Sequence, residues 1–291
     1  MPNPHFPPEL EQEIFVYAVQ NRIQDATNLF LVAKRVQEWL LPVVFKVVIV
    51  YDKRLFPIRF NDLSQFKSYG RYIEHLLLSS DFQTDHRPQI LQQSLAQCPN
   101  ITNLALTWFR PQIPLESLTS LSHLTCLCIA ADYLVCRIAD IHQDVRNINE
   151  IAVALTHSCT SITSSPALFP KITHLEAFGA RWRRQHGDLF LTMLAYHFPG
   201  VTHISHNQTP FVELTLQKFK ELKALVWWDS FGDELKVVED SERHIHDERI
   251  VPLVRDWAGD WEREARGRGM GVWSFADNIL EGRRKAREEL K

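Results

Sequence analysis

The stretch Phe169-Pro170-Lys171-Ile172-Thr173-His174-Leu175-Glu176-Ala177 decides how the chain is read. Its phrase returns downstream as Phe198-Pro199-Gly200-Val201-Thr202-His203-Ile204 and upstream as Cys98-Pro99-Asn100-Ile101-Thr102-Asn103-Leu104. Each copy has an aliphatic residue, two variable positions, Leu or Ile, one variable position and usually a further apolar residue. Other copies are Ile73-Glu74-His75-Leu76-Leu77-Leu78, Leu124-Thr125-Cys126-Leu127-Cys128-Ile129 and Leu222-Lys223-Ala224-Leu225-Val226-Trp227. The starts at 73, 101, 124, 172, 201 and 222 lie 28, 23, 48, 29 and 21 residues apart, and 48 is twice 24. A period in this range marks a solenoid of one-strand, one-helix units.

The segments between copies supply the helices. Asn61 to Phe66, Arg87 to Leu95 and Gly187 to Leu194 each return the chain to the next strand. Strands alternating with helices at this spacing predict an α/β fold with a parallel sheet and all crossovers on one side. Upstream, Val43 to Val50 is rich in β-branched residues and reads as a strand, and Val47 with Val50 fits the phrase 26 residues before Ile73. The copy missing between 124 and 172 is expected near 148. There Ile148 to Val153 fits the phrase, and Asn147 to His157 fits an amphipathic helix equally well. At the far end Arg249 to Leu253 reads as an edge strand, where Pro252 is tolerable. Trp257 and Trp261, one helical turn apart, are expected to cover the open end of the core, because the last unit of a solenoid otherwise exposes apolar surface.

Period-2 alternation assigns faces. If Leu76, Leu104, Leu127, Leu175, Ile204 and Leu225 point into the core, their neighbours line the other side of the sheet, read here as an open concave wall. The last rungs of that wall combine aromatic and polar groups. His174, Glu176, Phe178, His203, Ser205, Asn207, Trp228 and Asp229 are therefore the candidate residues for binding a target protein. A second reading places Trp228 and Phe178 beneath an irregular loop or the C-terminal helices.

The first fifty residues have a different texture. Pro7 and Pro8 open a helix whose first turns carry Glu9, Glu11 and Glu13 near the positive end of its dipole. Leu10, Ile14, Tyr17 and Ala18 form one stripe that faces a partner surface. Asp25 or Thr27 can cap a second helix with Leu29, Val32, Ala33, Val36 and Leu40 as its stripe, stopped by Pro42.

Pro7-Pro8-Glu9-Leu10, Glu13-Ile14-Phe15, Leu29 and Val32-Ala33-Lys34-Arg35-Val36 resemble the F-box, the short helical motif that docks on the Skp-type adaptor of cullin-based ubiquitin ligases. The likeness covers roughly residues 6 to 50. It departs from the motif at Phe6, where Leu is usual, at Ala33, where Ser is common, and at Val36, where an aromatic is expected; Trp39 follows three residues on. An F-box followed by leucine-rich-like repeats is similar to the large F-box-like families of mushroom-forming fungi, and the ending from Asp247 to Ala276 is also similar to theirs. The resemblance implies an F-box-like motif over 1–45, a leucine-rich-repeat-like solenoid over 46–254 and C-terminal capping helices over 255–291. It implies adaptor contacts by Pro7, Pro8, Leu10, Ile14, Leu29, Val32, Val36 and Trp39. The function it implies is that of a substrate receptor, a non-enzymatic subunit holding an unknown target protein beside the ligase. A protein-binding scaffold without a ligase link is the alternative.

Composition limits other readings. The chain has 291 residues, 45% of them apolar and 23% charged, enough for a full core. A net charge of −3 with a pI near 6.5 argues against a general nucleic-acid binder. Five cysteines without a paired CxxC spacing suggest a reduced compartment, cytoplasmic or nuclear, with Cys filling small apolar sites. The most apolar run, Leu40 to Val50, is broken by Pro42 and Lys46, so no membrane span is expected. His174, His203, His206 and Glu176 could hold zinc on paper, but His206 is expected on the opposite face, so neither a metal nor another cofactor is assigned. Gly267 to Gly271 lacks the Lys-Ser/Thr of a phosphate loop and reads as a hinge between helices, and no nucleophile elbow or dinucleotide fingerprint occurs. The basic run Arg283-Arg284-Lys285-Ala286-Arg287 reads as a solvated face of the last helix.

Overall fold

A computed structural model describes residues 6–50, 64–79, 88–107, 115–130, 134, 166–178, 184–206, 211–228, 247–253 and 257–290. Eight strands form one sheet in chain order: β1 Val47–Val50, β2 His75–Ser79, β3 Asn103–Thr107, β4 Cys126–Ala130, β5 His174–Phe178, β6 His203–His206, β7 Ala224–Trp228 and β8 Ile250–Leu253. Every pairing is parallel, and the repeat phrase stays in register: Leu76, Leu104, Leu127, Leu175, Ile204 and Leu225 are successive partners. All six lie in one continuous core.

A threonine of the phrase fixes the entry to several strands. The hydroxyls of Thr102, Thr125, Thr173 and Thr202 donate to the carbonyls of Glu74, Thr102, Thr125 and Thr173, at 3.1 to 3.4 Å. The backbone amides of the same threonines donate to the same carbonyls at 2.8 to 2.9 Å. Each rung is thus tied to the previous one just before its strand begins, where backbone polar groups would otherwise need another partner.

The helices are α1 Pro8–Asn21, α2 Ala26–Leu29, α3 Lys34–Phe45, α4 Ser64–Tyr69, α5 Pro88–Ala96, α6 Leu115–Thr119, α7 Arg184–His197, α8 Val212–Lys218, α9 Trp257–Ala265 and α10 Val272–Glu289. Buried residues of α1, α3 and α5 to α8, among them Val19, Leu40, Leu95, Leu118, Leu194 and Val212, share the core with the Leu76 column. These helices therefore lie on one side of the sheet, as expected for same-handed crossovers.

Four sequence expectations are corrected. The expected second helix is divided: Ala33 is extended (φ −163°, ψ 152°) between α2 and α3, and α3 restarts so that Val36, Leu40 and Val44 recur every fourth residue on the buried face. Pro42 does not stop α3, which runs to Phe45. A proline within a helix costs about 3 kcal/mol. Here the ring is on the exposed side, and continuing the helix buries Val44 and Phe45, which offsets that cost. The strand consequently starts at Val47 rather than Val43.

The third correction concerns the skipped period. Residues 147–157 lie outside the described residues, but β4 pairs directly with β5, Leu127 opposite Leu175, so no strand near 148 stands between them in the sheet. The fourth concerns the C-terminal helices. They do not cap the end of the core; α9 touches β1, and α10 touches β7 and β8, so together they cross the face expected to be open. The hinge between them is as expected. Gly267 has φ +64°, a left-handed conformation that favours glycine. Its amide and that of Arg268 donate to Glu264 O and Arg263 O at 3.0 and 2.9 Å, which closes α9 in a Schellman turn.

Candidate functional site

The N-terminal helices present the first candidate surface. On α1, Val19 is buried, and Phe15 and Val16 pack against the core; Leu10, Ile14 and Tyr17 point away from it. A helix with apolar residues on two sides can serve two partners, and the core meets one of those sides. Six of the eight exposed large apolar side chains among the described residues belong to this unit: Phe6, Leu10, Ile14, Tyr17, Leu31 and Val32, 47% to 85% exposed. Single exposed apolar residues are ordinary on proteins, but such a concentration marks an interaction surface. The unit is braced internally: Arg35 donates to both carboxylate oxygens of Glu11, at 2.8 and 2.9 Å, tying α3 to α1. Its guanidinium also stands 6.0 Å from the Trp39 ring centroid.

The expected adaptor residues divide by exposure. Pro7, Pro8, Leu10, Ile14 and Val32 are exposed, and Leu29 and Trp39 are half-buried against the core. Val36 is wholly buried and cannot touch a partner, which corrects its assignment. Its place in the Val36-Leu40-Val44 series makes it a core residue of α3. Tyr17, Leu31 and Phe6 extend the outward set beyond those expected; of these, the helical spacing of the sequence had pointed only to Tyr17.

The face expected to be an open wall is the second candidate, and it is covered. Leu77, Ala105, Cys128 and Trp228 pack with Trp261 and Ala265 of α9, while Cys126, Ala224, Val226 and Val251 pack with Val272, Trp273 and Ala276 of α10. Of the residues expected to meet a target, Glu176, His203, Ser205 and Trp228 are buried and His174 is half-buried. An open wall is therefore replaced by an interior layer. The side chain of Phe178 and residues Asn207 and Asp229 lie outside the described residues, as do Trp182 and the side chain of Trp257.

A polar cluster organises this layer. His174 and His203, partners on β5 and β6, stack with ring centroids 4.3 Å apart. Trp273 meets both rings edge-on, at 5.2 and 6.0 Å. The Thr173 and Thr202 hydroxyls stand 2.8 Å from Nδ1 of the histidine that follows each. His203 Nε2 is 3.0 Å from Asp277 Oδ1 on α10. Burial, followed by the neighbouring His203, pushes the His174 pKa down to about 4, so His174 stays neutral near pH 7. The cluster thus couples the sheet to α10 through one ring stack and one polar contact. Trp273 and Asp277 escaped sequence reasoning, although Val272, Ala276, Ile279 and Leu280 form an apolar helical stripe that needs a partner.

His206 lies on the other face, as expected. It is buried, and its Nε2 is 3.2 Å from Thr215 Oγ1 of α8. Its separation from the stacked pair removes the paper zinc site, and among the described residues no group of three or more His, Cys, Asp or Glu side chains could hold a metal ion. Cys98, Cys126 and Cys128 are buried thiols outside any disulfide. No helix among the described residues is long and apolar enough to cross a membrane. The basic run on α10 is partly engaged: Arg284 pairs with Glu281 and Glu288, and Arg283 turns onto the backbone at β8.

The geometry defines an α/β protein with one eight-stranded parallel sheet covered on both faces, preceded by a helical unit with an apolar outer surface. No family model, no curated protein and no solved structure matches the chain.

Proposed function

We propose that this protein is a substrate receptor of a cullin-type ubiquitin ligase, docking a Skp-type adaptor on the outward side of its N-terminal helices. The supporting observation is the exposure of Leu10 and Ile14 on a helix whose other side packs on the core through Phe15, Val16 and Val19. The F-box resemblance over the same residues names the class of partner such a surface would meet. The receptor performs no chemistry itself. It raises the effective concentration of a bound target near a transferase carried by the same assembly. Because the chain's own helices α9 and α10 cover the face expected to bind it, the target is received on another surface.

Co-expression with the adaptor tests the reading. The two proteins are expected to co-purify, and Leu10→Asp or Ile14→Asp is expected to abolish this without unfolding the chain, since both side chains are already exposed. A folded wild-type chain that elutes without adaptor would overturn the proposal in favour of a binding scaffold with no ligase link.

A further inference from the structure

A parallel sheet whose strands run in chain order has two terminal strands, and β8 is one of them. An edge strand offers unpaired N–H and C=O groups to any extended segment, including that of a second copy. Pairing with β7 determines which groups of β8 face outward. Leu225 N donates to Arg249 O at 2.8 Å, and Leu225 lies opposite Ile250 in register. Arg249 and Val251 therefore direct their backbone groups toward β7, and Ile250 and Pro252 direct theirs to the open side.

Each outward donor is already removed. Ile250 N–H is used by Asp247 O at 3.2 Å, and Pro252 has no N–H. Two acceptors at the start of the strand are taken from α10: Arg283 Nη1 donates to Ile250 O at 2.7 Å and to Glu248 O at 2.6 Å. Arg287 of the same helix pairs with the Glu248 carboxylate and reinforces the position. Arg283 is thus a cation placed on two backbone carbonyls at the end of the sheet, an arrangement that solubility alone does not require.

We propose that Arg283 and Pro252 together close the β8 edge against strand addition, with Arg283 occupying the Glu248 and Ile250 carbonyls and Pro252 withholding a donor. The occupant they exclude is a second copy of this chain offering β1, the sheet's other edge. Such a pairing would continue the same parallel order and, being heterologous, would not close on itself.

The test compares molar mass by sedimentation equilibrium over a range of concentrations for wild type, Pro252→Val, Arg283→Met and the double variant, with circular dichroism to confirm folding. Methionine keeps an apolar stem for packing but has no donor. The double variant is expected to gain mass with concentration and to lose it on dilution, while Pro252→Val alone behaves as wild type because Arg283 still covers the Glu248 and Ile250 carbonyls. Arg287→Ala combined with Pro252→Val serves as the control that loosens the same helix end and leaves the carbonyls covered. A folded double variant with wild-type mass at every concentration would overturn the proposal. So would association of Pro252→Val alone or of the Arg287 control, since the edge would then open with Arg283 in place; these two results do not depend on the double variant folding.

Discussion

Replacing Trp273 with alanine tests whether the C-terminal hairpin is a structural layer. The indole is almost entirely buried, packs among Cys126, Ala224, Val226 and Val251, and meets the rings of His174 and His203. Truncating a buried Trp costs about 3 to 5 kcal/mol, the lost transfer energy plus the cavity left behind. If that loss falls on the contact between α10 and the sheet, the free energy of opening the hairpin drops by the same amount. At 1.4 kcal/mol per factor of ten, the lower figure raises the open population roughly a hundredfold. Cys126 and Cys128 lie beneath the hairpin, whereas Cys98 lies in the core on the helix side of the sheet. Burial pushes the Cys98 thiol up to about 12, so it stays unreactive until the whole domain unfolds. With Cys136 and Cys159 changed to serine, the labelling rate of Cys126 and Cys128 by a thiol reagent therefore reports hairpin opening, and that of Cys98 reports global unfolding. Trp273→Ala is expected to accelerate the first pair roughly a hundredfold. Wild-type labelling rates together with an unchanged denaturation midpoint would show that the hairpin does not hold this face shut.

Two further predictions follow from buried groups. Burial pushes the His206 pKa down to about 4, so between pH 6.5 and 4 the unfolded chain holds a proton that the folded chain refuses. Folding stability therefore falls as the pH falls through this window, by roughly 3 kcal/mol from His206 alone at about 1.4 kcal/mol per pH unit. Urea titrations at pH 7 and pH 4.5 are expected to show a smaller difference for His206→Gln than for wild type, and equal differences would refute the assignment. A Cβ added at Gly187 on α7 would come within 1.8 Å of the Phe211 ring, so Gly187→Ala must displace a buried aromatic. Its helix-propensity gain of about 1 kcal/mol is expected to be outweighed by the 1 to 3 kcal/mol typical of overpacking, read as a lower melting temperature.

The strand positions were legible because they rest on local chemistry. Leu76, Leu104, Leu127, Leu175, Ile204 and Leu225 recur in the same phrase, and alternation along a strand assigns each residue to one of two faces whatever lies beyond them. The outward stripe on α1 was legible for the same kind of reason, since helical spacing puts Leu10, Ile14 and Tyr17 on one side. The boundaries of α2 and α3 were less so. The cost of Pro42 is local, whereas the burial of Val44 and Phe45 that offsets it comes from residues brought in by other rungs.

What lies over the second face was decided by tertiary structure. Alternation says that Leu77, Ala105, Cys128 and Val226 share a side but not what covers it, because contact with Trp261 and Trp273 is set by where a distant segment returns in space. The composition of the strands did carry a hint: Val47 to Val50, Cys126 to Ala130 and Ala224 to Trp228 are nearly continuous apolar runs, as parallel strands buried on both faces are. Period thus determined most of the strands and which residues share a face, and composition carried only a hint of cover. The docking of α9 and α10, the His203 to Asp277 contact and the Arg283 bonds at β8 came only from the folded chain, because each joins residues far apart in sequence.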